Sequence, residues 1–166
     1  MEELIISSDE HLQSIQSEKM QNIRDEFFIS CYMREGEFKG LADIATIAAK
    51  TNHACVVAIV DVPELPRVLV AADEHWAIAN IAPLKADKPD ATKLAERAAK
   101  VMWRGFGLAM GAGFSAQAGG LLQPAETLAD LDKVYGRAVP PDCHFPILQY
   151  CELRKVARGG RAPYRQ

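Results

Sequence analysis

The chain has 166 residues, about half apolar and a quarter charged, with 22 acidic against 19 basic side chains and a formal charge of −3. This balance describes a soluble globular chain long enough for a core and argues against a dedicated nucleic-acid binder. No apolar run approaches the ~20 residues of a membrane span, and the acidic opening MEELIISSDE lacks the pattern of a secretory leader.

A cytoplasmic location is therefore expected, with Cys31, Cys55, Cys143 and Cys151 as reduced thiols. In chain order, EELIIS (2–7) reads as a first strand. A helix follows over SSDEHLQSIQSEKMQ, with Ser8 as N-cap and Leu12 and Ile15 at helical spacing. EFFISCYM (26–33) is rich in aromatic and β-branched residues and reads as a strand. LADIATIAAK (41–50) sets Leu41, Ile44, Ile47 and Ala48 on one helix face.

ACVVAIVDV (54–62) is apolar almost throughout, the pattern of a central strand covered on both faces, and Pro63 and Pro66 end it. RVLVAA (67–72) and HWAIANIA (75–82) are two further strands parted by a turn at Asp73-Glu74. After a surface loop, LKADKPDAT, a long helix runs from an N-cap at Asp90 to about Phe106. GAGFSAQAGG is a small-residue loop, and PAETLADLDKVYG starts a third helix at Pro124. AVPPDCHFP is irregular, and HFPILQYCELRKV makes a last short strand or helix. The basic, glycine-rich ARGGRAPYRQ closes the chain. The order β-α-β-α-β-β-β-α-loop-α specifies an α/β (α+β) chain, with one domain over 1–153 and a flexible basic tail over 154–166.

The stretch KVMWRGFGLAMGAG (100–113) scans like a metal-binding helix. Such a helix needs ligands at i and i+4 so that both meet one ion, and a glutamate beside the first to activate water. A glycine three residues after the second ligand lets the chain turn, and the turn brings a third ligand. With Gly107 as that glycine, the ligand positions fall on Lys100, Arg104 and Met110, and the glutamate position on Val101. Two cations and a thioether do not hold zinc at neutral pH, because Lys offers no lone pair until deprotonated and Arg effectively never does. No cofactor is expected.

Beyond this window the chain resembles the archaemetzincins, a metzincin-like family, along most of its length. CYMREGEFKGLADI is similar to the family's tyrosine–Arg–x–Gly–x–aromatic stretch, with Arg34, Gly36 and Phe38. VVAIVDVPELPRVLV resembles its strand ending in an aspartate-valine turn, here Asp61-Val62, and HWAIANIAPL its edge strand before the active-site helix. GGLLQPAETLADLDK is similar to the Met-turn segment and closing helix, with Leu122 near the methionine's place and Leu128, Asp130 and Asp132 in the helix. The resemblance implies a zincin-like fold: a mixed twisted sheet, a long "active-site" helix and a C-terminal helical segment.

It also implies lost chemistry. The family's helix carries histidine, glutamate and histidine where this chain has Lys100, Val101 and Arg104, and the turn supplies histidine and cysteine where it has Met110 and Gly111. Of the family's cysteine-rich structural zinc site, only Cys143 and Cys151 lie near the last part. The implied protein is a catalytically inactive, metallopeptidase-like pseudoenzyme. It would bind a protein partner or a small anionic ligand at the former cleft, through Lys100, Arg104 and Met110.

The same residues support plainer readings. Leu94, Ala98, Val101, Met102 and Gly105 form an apolar helix face, with Lys93, Glu96, Lys100 and Arg104 on a solvated flank. Asp61 or Glu64 would equally neutralise Lys100 and Arg104. GFGLAMG (105–111) is not a dinucleotide fingerprint, since that motif follows a strand, and its glycines serve helix termination and close packing. Cys143, His144 and Cys151 are an alternative metal set, needing Cys31 or Cys55 to complete it, against buried inert thiols. A reactive Cys143 or histidine would make the protein an enzyme of unrelated chemistry. An assembly subunit, as a homo-oligomer, is a third reading. Trp76 and Trp103 are core or interface anchors, with Trp103 placed to cap a partner contact.

Overall fold

The computed structural model describes residues 2–6, 31–35, 37–50, 55–135 and 141–153. The helix expected after Ser8, the start of the strand expected at 26 and the tail 154–166 lie outside them. The strands are β1 (Glu2–Ile6), β2 (Cys31–Glu35), β3 (Val56–Val60), β4 (Val68–Ala71) and β5 (Trp76–Asn80). They form one mixed sheet in the order β2-β1-β3-β5-β4, in which β4 alone runs antiparallel to its neighbour. The helices are α1 (Leu41–Lys50), α2 (Ala91–Ala109), α3 (Leu128–Lys133) and α4 (Pro141–Leu153).

β3 is buried at every position, as its continuous apolar run predicts. Alternation sends Val57 and Ile59 into a core with Ala98, Val101, Met102 and Phe106 of α2. Val56, Ala58 and Val60 enter a second core with Ile44 and Ala48 of α1. Trp103 is 4 % exposed within the first core, so it caps no partner contact, and Trp76 is buried in the second.

Asn80, at the end of β5, is fully buried and fastens the turn that leads into β4. Its amide donates to the carbonyls of Val62 and Leu65, both at 2.7 Å, and its oxygen accepts from Val62 N–H at 3.0 Å. These bonds satisfy backbone groups that the proline-bearing turn leaves without sheet partners.

α2 starts at the expected cap, where the Asp90 carboxylate accepts from Lys93 N–H at 2.8 Å. It runs on past Phe106 to Ala109. The residue that ends it is Gly111, at φ +85°, with Gly111 N–H bonded to Leu108 O and Ala112 N–H to Gly107 O, a Schellman pair. Gly105 and Gly107 serve only packing. A Cβ on Gly105 would stand 3.3 Å from Ala77 Cβ, and one on Gly107 3.2 Å from Leu122.

α3 begins later than Pro124. Thr127 and Asp130 form a reciprocal capping box, and the helix starts at Leu128. α4 begins at Pro141, inside the stretch expected to be irregular, and carries Pro146 within it. Among the described residues no helix is long and apolar enough to cross a membrane.

Candidate binding cleft

An open cleft of about 560 Å³ lies between β4 and α2, bordered by the segment that follows α2. Val68 and Val70 of β4, Val101 and Leu108 of α2, and Leu131 of α3 give it apolar walls. β4 is an edge of the sheet. Asn80 N–H bonds to Arg67 O, and Arg67 precedes Val68 opposite Ala79. Bonded and non-bonded pairs alternate along an antiparallel ladder, so Val68 and Val70 turn their backbone N–H and C=O groups to the open edge.

Of the three residues expected at a lost metal site, only Arg104 lines this cleft. Met110 is 0 % exposed and belongs to the core, where it has no access to a ligand. Lys100 sends its ammonium to the carbonyls of Leu131 at 3.1 Å and Asp132 at 3.4 Å, the last turn of α3. The side chains present do not fit zinc. Among the described residues no cluster of three His, Cys, Asp or Glu is placed to hold a metal ion.

The flank expected to be solvated is exposed at Lys93 and Glu96, but at Arg104 it becomes a buried seam. Arg104 is 6 % exposed, and its Nη1 donates to Leu121 O at 2.9 Å and to Gln123 O. Arg67, which the sequence does not single out, donates to the carbonyls of Ala125 (2.9 Å), Glu126 and Thr127 (3.1 Å). Two guanidiniums thus pin one loop through its backbone. Leu122, which the resemblance sets near the family's methionine, is fully buried against Gly107.

Neither arginine has a carboxylate partner among the described residues. Asp61 pairs instead with Lys85. Burial, and then the neighbouring Arg67 charge, lower the affinity of Arg104 for its proton. Phe114, 60 % exposed, lies at the rim with the Arg104 guanidinium 5.8 Å from its ring centroid. The signal for Arg67 was faint, a cation after Pro66 at the head of a strand. Phe114 carried none, being one aromatic in a small-residue loop.

The alternative metal set fails on helix geometry. Cys143 and Cys151 lie eight residues apart on the continuous helix α4, about 12 Å along its axis at 1.5 Å per residue. Positions that far apart on one helix are not the close ligand pair that structural zinc sites use. Cys143 is buried with Sγ donating to Gly113 O at 3.5 Å, while the side chains of His144 and Cys151 lie outside the described part.

An antiparallel edge strand, a long helix beneath it and a glycine-ended turn define a zincin-like α/β fold. The chain has an archaemetzincin-like fold: it is similar to archaemetzincin from Methanopyrus kandleri at 13 % identity, with a TM-score of 0.69 over 92 % of this chain and 96 % of that one. It is likewise similar to a zinc-dependent peptidase from Methanocorpusculum labreanum (11 %, TM-score 0.68, covering 89 % of this chain and 100 % of that one). Archaemetzincin from Archaeoglobus fulgidus, complexed with malonate, aligns at 10 % identity and a TM-score of 0.62, covering 89 % of this chain and 100 % of that one. No family model matches the sequence, and no curated protein matches it.

Proposed function

We propose that this chain is a peptidase-like protein without peptidase activity that binds an anionic ligand in the cleft between β4 and α2. The observation that carries the reading is Arg104. It stands where the metal-helix pattern would put its second ligand, it lines the cleft, and its charge and that of Arg67 lack a carboxylate counter-ion among the described residues. A partly buried pair of like charges is relieved by an anion between them. A volume of about 560 Å³ with apolar walls and a few polar groups suits a small ligand.

Two measurements test this. Peptide hydrolysis is expected to stay at background with zinc added, and metal-dependent cleavage that a chelator abolishes would refute the inactive reading. A thermal-shift screen of small anions is expected to raise the melting temperature of the wild-type protein, and the rise is expected to shrink in Arg67→Gln. Equal shifts in both proteins would take the anion away from the cleft.

A further inference from the structure

We infer that the anion is a carboxylate carried on an apolar body, gripped side-on by the free edge of Arg104. This rests on the cleft being an anion site and adds the chemical class.

The argument starts from the donors. Arg104 commits Nη1 to the Leu121 and Gln123 carbonyls. Its Nε and Nη2 have no hydrogen bond within the described residues, and neither atom is sealed from solvent. These two groups form the side edge of the guanidinium, two parallel N–H bonds spaced to match the two oxygens of a carboxylate. The same helix shows this edge in use. Arg97, seven residues earlier, holds the Asp132 carboxylate with Nε and Nη2, each at 2.7 Å. What Asp132 does for Arg97 is left undone for Arg104.

The walls select among anions. A carboxylate carries one charge and is planar, so both oxygens reach the guanidinium edge while its substituent faces Val70, Val101 and Leu131. A phosphate-type group brings further oxygen and charge, which would sit against those apolar side chains without donors. Two sources share the favoured chemistry. One is a free small acid. The other is the C-terminus of a polypeptide lying beside β4, whose Val68 and Val70 backbone groups face outward.

The test is calorimetry on the unaltered full chain with matched ligands: 4-methylpentanoate, its amide, and 3-methylbutylphosphonate. An added pair is a pentapeptide ending in leucine, as free acid and as C-terminal amide. The acids are expected to bind at least about tenfold more tightly than their amides and than the phosphonate, since a charge-assisted bidentate contact is lost in the comparison. Tighter binding of the peptide acid than of the small acid assigns the site to chain termini, and the reverse assigns it to a small acid. Equal binding of acid and amide, or preference for the phosphonate, overturns the carboxylate inference. Preference for the phosphonate leaves the anion reading intact, and no binding by any anion overturns both.

Leu108→Glu adds a readout that leaves the loop pins in place. It sets a carboxylate one turn from Arg104 on the half-buried face of α2. It is expected to weaken the acids at least about tenfold by occupying the guanidinium edge. Unchanged affinity in a folded variant would remove Arg104 as the contact.

Discussion

Arg97 on α2 and Asp132 on α3 meet edge to edge, Nε on Oδ1 and Nη2 on Oδ2, each at 2.7 Å. Arg97 is 1 % exposed, and its other donors go to Asp87 at 2.6 and 2.9 Å and to Leu84 O at 3.1 Å. All five N–H groups of this guanidinium are used. One buried cation therefore ties the loop before α2, α2 itself and α3 into a unit, and fixes the wall of the cleft that α3 supplies.

Arg97→Ala is expected to lower stability by about 3–5 kcal/mol, because it strips two carboxylates of their partner and leaves a void. A urea unfolding curve measures this as a shifted midpoint at unchanged slope. A loss under about 1 kcal/mol would mean the network is dispensable.

The same contact sets an acid limit. Hydrogen bonds from Arg97, partly opposed by burial and aided by Lys93, hold the Asp132 carboxyl at about 2, below its ordinary 3.8. A carboxyl depressed on folding contributes stability that is complete above the unfolded value and lost as pH falls through the folded one. Stability is thus expected to decline from about pH 4 toward pH 2. Asp132→Asn should be less stable at pH 7 and show a shallower decline. An identical acid profile in that variant would contradict the assignment.

Gly105 and Gly111 are expected to fail for different reasons. Gly105→Val presses on Ala77 of β5, which is fully buried and has nowhere to retreat, at a cost of about 1–3 kcal/mol beyond any gain in helix propensity. Gly111→Ala meets nothing within 4 Å, but its φ of +85° is strained for a side-chain-bearing residue, at about 1–2 kcal/mol. Thermal unfolding of both, with Gly113→Ala as an unstrained control in the same loop, separates packing from backbone effects.

Cys143 should be inert. Burial, and then the charge of Asp142, push its thiol above the ordinary range, and its sulfur is turned to Gly113 O. Alkylation at pH 8 is expected to run at least about tenfold slower in the native protein than in urea. Rapid native labelling at this position would restore the reading of an enzyme with a reactive thiol.

Much of the fold was legible because its signals are local. The apolar run of β3 announces a strand covered on both sides, and Asp90 marks the start of α2 by the bond it makes within one turn. The order of strands and the metal-helix cadence at 100–113 point to the zincin-like architecture that the solved structures share. Element ends were read less well. α2 was expected to stop near Phe106 because its glycines look like terminators, yet only Gly111 sits in the left-handed conformation that stops a helix.

The cleft was half legible. Sequence alone determined that positions 100, 101, 104 and 110 do not make a zinc site at neutral pH, since protonated Lys and Arg offer no lone pair, Val has no donor atom and one thioether is too weak a ligand. It did not determine which of them meets a ligand. Lys100 and Arg104 read as a solvated flank because a helical wheel shows which residues share a stripe, not what folds over it. The loop after α2 returns across that stripe, buries Arg104 and brings up Arg67, 37 residues earlier in the chain. Composition fixes a charge, and only long-range packing decides whether that charge is paired, hydrated or left for a ligand.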